Sequence, residues 1–260
     1  MNLDNISIIL VEPQGAGNIG SCARALKNMG LKHLVLVKPV EFMVDEGFKM
    51  AVDARGILEK AEICSTLEEA LKGVSLSVGT TRRKGKLRKP LYSISSVALK
   101  VSSLSEKNKV AFVFGREDKG LLTKELKLCT LVSYIPANEK FPSLNLAQAV
   151  MLTCYELFLA SSLAEKEEQP ILAKFEDMEN YFKHLEETLA RIGYLNEAYP
   201  TTIMVALRRL YGKADLEPRE VKILRGILRQ INWYADRKGS APSRWKKQSE
   251  RCKEPSAEEE

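Results

Sequence analysis

Five short runs rich in β-branched and aliphatic residues recur through the first 135 positions: residues 6–11 (ISIILV), 33–38 (HLVLVK), 74–79 (VSLSVG), 110–114 (VAFVF) and 131–135 (LVSYI). Helical stretches near residues 47–60, 66–72, 93–104 and 121–128 separate the later runs. Residues 18–30 (NIGSCARALKNMG) read as a helix stopped by Gly30 between the first two. Strands and helices in alternation build a mostly parallel sheet with helices on both faces, so the expected fold class is α/β.

The last of these runs opens the stretch 135–157 (IPANEKFPSLNLAQAVMLTCYEL). A strand ending at Ile135 passes into a polar loop with Pro136, Asn138 and Pro142, and a helix opens at Ser143 to Asn145 with Ala147 and Ala149 in its first turns. Loops at the C-terminal ends of strands are where ligands bind in open α/β sheets. Ser143 and Asn145 also suit plain helix capping, and the stretch alone leaves both readings open.

A chain of 260 residues can bury a full core, as one large domain or one domain with a smaller companion. No apolar run approaches the roughly 20 residues that span a bilayer, and the start, MNLDN, lacks a secretory pattern. A cytoplasmic protein without a membrane partner is expected. The cysteines at 22, 64, 129, 154 and 252 form no CxxC pair, which argues against a disulfide framework or a zinc knuckle. His33 and His184 are the only histidines, which excludes HExxH chemistry and argues against a Ser–His triad. No metal is expected.

The character of the chain changes after residue 160. Residues 1–160 read as the α/β domain and 161–172, opening SSLAEKEEQP, as a linker. Residues 173–238 read as a three-helix extension, with Phe175, Met178, Phe182, Leu185, Leu189 and Ile192 on one helix. Ile203, Leu207 and Leu210 mark a second helix, and Val221, Leu224, Leu228 and Ile231 a third that begins at Pro218. The tail, 239–260, is polar and ends in EEE, so disorder is expected there.

Positive charge is unevenly spread. Residues 205–238 hold nine Lys and Arg against four Asp and Glu, and residues 82–89 (RRKGKLRK) hold six basic residues in eight. Lys222, Arg225 and Arg229 recur at steps of three and four along one side of the third helix. Patches of this kind favour a polyanionic partner, and a merely solvated face is the equal alternative for either patch alone. Residues 15–20 (GAGNIG) match the GxGxxG pattern of dinucleotide-binding folds. Glu12, Pro13 and Gln14 nevertheless separate the first strand from these glycines, and the second strand ends at Lys38 and Pro39, where an acidic ribose ligand belongs. An NAD-dependent oxidoreductase is therefore disfavoured.

A different reading covers more residues. Residues 17–24 (GNIGSCAR), 114–121 (FGREDKGL) and 135–146 (IPAN, then SLNL) resemble, in order and spacing, the three motifs of the SpoU/TrmH class of RNA ribose methyltransferases, part of the SPOUT superfamily. The resemblance runs from residue 6 to about 160, and the basic helical extension is similar to that of the TrmJ branch, which methylates a ribose in the tRNA anticodon loop. It implies a deep C-terminal trefoil knot, an exception to the usual absence of knots. It also implies a homodimer, S-adenosylmethionine as methyl donor, and tRNA as partner.

Carried onto this chain, the resemblance puts Thr80, Thr81, Arg82, Gly115, Ile135, Pro142, Ser143 and Leu144 around the cofactor. Asn18, Arg24, Ser143 and Asn145 fall at the reacting ribose. Arg83, Lys84, Lys86 and Arg88, together with Lys222, Arg225 and Arg229, become RNA-binding candidates. The class proposes the residue matching Arg24 as proton acceptor. A guanidinium with a pKa above about 12 is better suited to grip a phosphate and stabilise a developing alkoxide. An rRNA substrate, or a non-catalytic RNA-binding protein on the same fold, remain the alternatives.

If Lys222, Arg225 and Arg229 contact phosphates, changing all three to Glu weakens tRNA binding and flattens its salt dependence, because each neutralised phosphate adds a log–log slope of about −0.7 to −0.9. The apolar stripe of that helix is untouched, so circular dichroism should show unchanged helicity. Unaltered affinity and slope in a salt titration of the triple variant would remove these residues from RNA binding.

Overall fold

A computed structural model describes residues 1–82, 91–163, 170–195 and 200–238. Among them, seven strands form one sheet: β1 (Ile6–Val11), β2 (His33–Val37), β3 (Glu62–Cys64), β4 (Leu76–Thr80), β5 (Tyr92–Ser93), β6 (Val110–Phe114) and β7 (Leu131–Tyr134). Their order is β3-β2-β1-β6-β4-β7-β5, and every pairing is parallel. The central strands are apolar on both faces because helices cover both. Alternation along β1 sends Ile8 and Leu10 into one core and Ile9 and Val11 into the other.

The larger core is closed by α1 (Ala16–Asn28), α2 (Asp45–Ala51), α3 (Arg55–Glu59), α5 (Ile94–Leu104) and α7 (Leu146–Leu163). The opposite face is covered by α4 (Leu67–Ala70) and α6 (Thr123–Leu126). The glycines of residues 15–20 serve packing: a Cβ on Gly20 would run into the Gly47 carbonyl, so α1 and α2 meet backbone to backbone. Beyond these layers α8 (Phe175–Arg191), α9 (Pro200–Tyr211) and α10 (Pro218–Lys238) enclose their own core around Tyr181, Phe182, Leu185, Val221 and Leu228.

Several boundaries differ from the sequence reading. β2 stops at Val37, where Lys38 takes a positive φ of 45°, and β4 runs from Leu76 to Thr80 rather than from residue 74. β3 and β5 lie at the two sheet edges and were not expected; strands of three and two residues carry too little pattern to read. The single helix expected over 47–60 is broken at Val52, whose φ of 51° is incompatible with helix, and a 3-10 turn joins α2 to α3. Leu210, expected in the α9 stripe, is exposed. Residues 164–169 and 239–260, parts of the expected linker and tail, lie outside the described residues.

The helical extension is docked at the N-terminal ends of the strands. The Phe175 amide donates to the Val74 carbonyl (2.8 Å), Gly73 N–H to Glu176 Oε1 (2.9 Å), and Lys100 pairs with Asp215 at 2.6 Å. α7 continues three residues into the span expected as linker, and at the far end of that span Leu172 is buried in the larger core. Asn108 fastens this return: its Nδ2 donates to the Leu104 and Pro170 carbonyls (both 2.9 Å) and its Oδ1 accepts the Leu172 amide at 2.7 Å. Removing a side chain that satisfies three backbone groups strands buried polar atoms. Asn108→Ala is expected to cost about 2–4 kcal/mol, seen as a lower urea midpoint, and an unshifted midpoint would show that the clamp contributes nothing.

Candidate active site

The loops after β1, β4, β6 and β7 all leave the C-terminal edge of the sheet, and a pocket opens between the last three. It is lined by Thr80, Thr81 and Arg82 after β4, by Phe114 to Leu121 after β6, and by Ile135, Pro142, Ser143 and Leu144 after β7, with Leu146 and Ala149 from α7. All eight residues expected around a cofactor therefore border one cavity. Gly115 is needed for a reason other than ligand access: residues 116–120 fold back as a tight turn, and a Cβ would strike the backbone of Gly120 and Leu121.

Arg116 holds that turn in place. Its Nε donates to Glu12 Oε2 (2.8 Å), and Nη1 and Nη2 form a fork on Glu125 (3.1 and 3.0 Å). The Arg116 and Glu125 side chains are only 9% and 7% exposed. Glu125 also accepts the Leu122 amide at 2.7 Å, so it caps α6 while pairing with the guanidinium. Hydrogen bonding to the two carboxylates raises the Arg116 pKa, and the bond from Arg116 lowers that of Glu12. Burial pushes the Cys129 and Cys154 thiols up to about 12 and raises Cys22 well above its ordinary value, so these are poor nucleophiles.

The next residue, Glu117, ties the three motif runs together. Its Oε2 accepts the Gln14 amide (2.9 Å) and its Oε1 accepts Asn18 Nδ2 (2.8 Å), while Asn18 Oδ1 accepts Asn145 Nδ2 at 3.1 Å. Asn145 is at the same time the N-cap of α7: its Oδ1 accepts the Ala147 amide (2.9 Å), and Gln148 Oε1 reaches back to the Asn145 amide (3.2 Å). The capping and site readings of Asn145 thus hold together. Glu117 was not singled out in the sequence, where it is one charged residue among four in the run 116–119.

Asn18 and Asn145 reach the pocket through Glu117, whereas Ser143 lines it directly. Arg24 does not line it. Six residues beyond Asn18 on α1, its side chain departs about 9 Å further along the axis and about 120° around it, and it is exposed. Lys222, Arg225 and Arg229 are exposed along α10. Arg83, Lys84, Lys86 and Arg88 lie outside the described residues. No group of three or more His, Cys, Asp or Glu side chains among the described residues is arranged to hold a metal ion, and no helix among them is long and apolar enough to cross a membrane.

Comparison with known proteins agrees with the motif resemblance. The model of the SpoU rRNA Methylase family matches residues 5–155. This chain belongs to that family. A second model, the tRNA methyltransferase TrmJ C-terminal domain, matches residues 176–243. The tRNA (cytidine/uridine-2′-O-)-methyltransferase TrmJ of Yersinia pestis is 40% identical over 236 residues, covering 88% of this chain and 92% of that one. The tRNA (cytidine/uridine/adenosine-2′-O-)-methyltransferase TrmJ of Pseudomonas aeruginosa is 40% identical over 247 residues, covering 90% and 96%. The crystal structure of TrmJ from Z. mobilis superposes with a TM-score of 0.73 at 34% identity, covering 87% of this chain and 98% of the other.

Arg116→Met leaves two carboxylates facing an apolar side chain and is expected to cost about 3–5 kcal/mol, read from the urea midpoint. Glu12 adds a pH signature. Because its folded pKa is depressed, its contribution is complete above the ordinary carboxylate range and is lost as pH falls through the depressed value. Glu12→Gln should therefore flatten the acid limb of stability against pH; an acid limb identical to wild type would show that Glu12 is uncoupled from Arg116.

Proposed function

We propose that this chain transfers a methyl group from S-adenosylmethionine to a ribose 2′-hydroxyl in the anticodon loop of tRNA. The observation that carries the reading is the hydrogen-bonded chain Gln14–Glu117–Asn18–Asn145, which draws the three motif runs to the mouth of one pocket. The relatives named above act on tRNA at cytidine and uridine, one of them also at adenosine, which supports a ribose methyltransferase tolerant of the base.

The pocket's chemistry fits the proposed donor. Ile135, Leu144, Leu146 and Ala149 offer an apolar slot for the adenine, with backbone groups of the 135–144 loop for its edge, and Thr80, Thr81, Arg82, Gly115, Pro142 and Ser143 complete the wall. Glu117 and Asp118 border the same space beside Arg82, Arg116 and Lys119, so the wall offers partners of both signs to a zwitterionic ligand. When bound, S-adenosylmethionine supplies an electrophilic methyl group. The protein's contribution is positioning: Asn18, Ser143 and Asn145 orient the hydroxyl, and Glu117 fixes the Asn18 amide so that it need not reorganise during reaction. A guanidinium stays protonated, so Arg24 acts as an electrostatic partner of a phosphate and of the developing alkoxide.

This reading includes a cytoplasmic homodimer. α7 is mostly apolar, and Leu152, Tyr155 and Leu159 form an exposed stripe on the side away from the core, as an interface between copies requires. In this reading Arg24, which is exposed and does not line its own pocket, serves the pocket of the partner subunit. The knotted threading of residues 131–163 belongs to the same proposal. It is supported by the sheet order, in which β4 is flanked by the later strands β6 and β7, and by the packing of α7 on both α1 and α5.

Calorimetry should show binding of S-adenosylmethionine and none of NAD, and mapping of 2′-O-methyl sites in tRNA from cells with and without the gene should locate the target. Arg24→Ala should keep cofactor affinity while methylation falls at least a hundredfold, the order of losing one transition-state donor. Binding of NAD with silence toward S-adenosylmethionine would sink the assignment, and near wild-type turnover by Arg24→Ala would remove that residue from the mechanism.

A further inference from the structure

The loop between β7 and α7 carries a feature that the methyl-donor pocket does not use. Phe141 is 77% exposed, one residue before Pro142, which lines the pocket. The loop is held by an Asn138 turn, in which Asn138 Oδ1 accepts the Lys140 amide (2.9 Å) and the Asn138 carbonyl accepts the Phe141 amide (3.0 Å). Pro142 further restricts the Phe141 backbone to extended conformations. An aromatic ring is thus presented to solvent from a defined backbone position.

A cation also borders that pocket. Arg82, after β4, lines the same pocket and opens the basic run at 82–89, and β4 and β7 are adjacent strands. A cation at the pocket and an exposed aromatic ring one residue from its lining is the combination that single-stranded nucleic acid recognises, with charge meeting the backbone and the ring meeting a base.

We propose that Phe141 is the platform on which the base of the methylated nucleotide stacks. The inference rests on the methyltransferase reading above, because that reading brings a ribose to this pocket. The base is joined to that same ribose, so it must lie close to the pocket, and Phe141 adjoins the pocket wall at Pro142. Stacking reads the face of a base and not its edge, so it holds any base alike, as suits chemistry confined to the sugar.

The test uses the full chain and a tRNA transcript with pyrrolocytidine at the position that wild type methylates. Wild type and Phe141→Tyr should quench the fluorophore. Phe141→Leu and Phe141→Ala should lose the quench and raise the KM for tRNA about 5- to 100-fold, the range for one stacked base, with a much smaller change in kcat. S-adenosylmethionine affinity and the light-scattering mass should not change. Wild-type KM and quenching in Phe141→Leu would overturn the inference. So would a halved mass in Phe141→Ala, which would make the ring a subunit contact. An active wild type with an indifferent Leu variant defeats only the stacking platform; a wild type that neither binds S-adenosylmethionine nor methylates tRNA defeats the underlying reading as well.

Discussion

The Arg116 guanidinium lies almost out of solvent between Glu12, which follows β1, and Glu125 on α6, with N–O distances of 2.8 to 3.1 Å. A cation this desolvated is stable only while both carboxylates stay in place, so the pair of contacts fixes the β6 loop against two other segments at once. Glu12 itself adopts a positive φ of 47°, and its amide donates to the Val37 carbonyl at 2.7 Å. The clamp therefore also anchors the register of the β1 loop on β2. Glu117 follows Arg116 directly, and its reach toward Gln14 and Asn18 depends on that backbone being held.

Glycine has a matching role. Gly115 accepts the return of the Gly120–Leu121 backbone, and Gly20 accepts the α2 backbone at Gly47. Both lie in runs that resemble ligand-binding motifs, yet in each case the close approach is protein on protein. The GAGNIG run shows how the same spacing serves two chemistries. In a dinucleotide-binding fold it admits a pyrophosphate. Here it admits a second helix and leaves Asn18 turned toward Glu117 and Asn145.

The buried strands were legible in the sequence because parallel strands covered on both faces must be apolar throughout, and β1, β2 and β6 each appear as such a run. The eight residues that the family resemblance implied for a cofactor share one cavity. Edge strands β3 and β5 were not legible, since Glu62–Cys64 leaves Ile63 in solvent and Tyr92–Ser93 spans only two residues. The helix break at Val52 runs against local propensity, because a β-branched residue rarely takes positive φ, and only the packing of α1 on α2 and the following turn accounts for it. Glu117 was hidden for another reason: a carboxylate's partner 99 residues away leaves no local trace.

The placement of the extension bears on how RNA meets the site. β4 is the strand common to both: Val74 and Ser75, just before it, border the α8–α9 docking surface, while Thr80 and Thr81 at its end border the candidate cofactor pocket. The docking surface reaches Ser77, and the three residues from there to Thr80 at about 3.3 Å each put the two surfaces about 10 Å apart along the strand, toward its opposite ends. The hydrogen bonds of Val74 to Phe175 and Gly73 to Glu176 hold the start of α8 to that far end, Asn108 holds the segment that leads into it, and the Lys100–Asp215 pair ties down the turn before α10. On the proposal that Lys222, Arg225 and Arg229 grip RNA, the gripping helix belongs to a body that meets the sheet at the end opposite the pocket. That proposal therefore calls for a folded RNA that spans from α10 to a pocket at the other end of a sheet, rather than a short single strand bound at α10 alone.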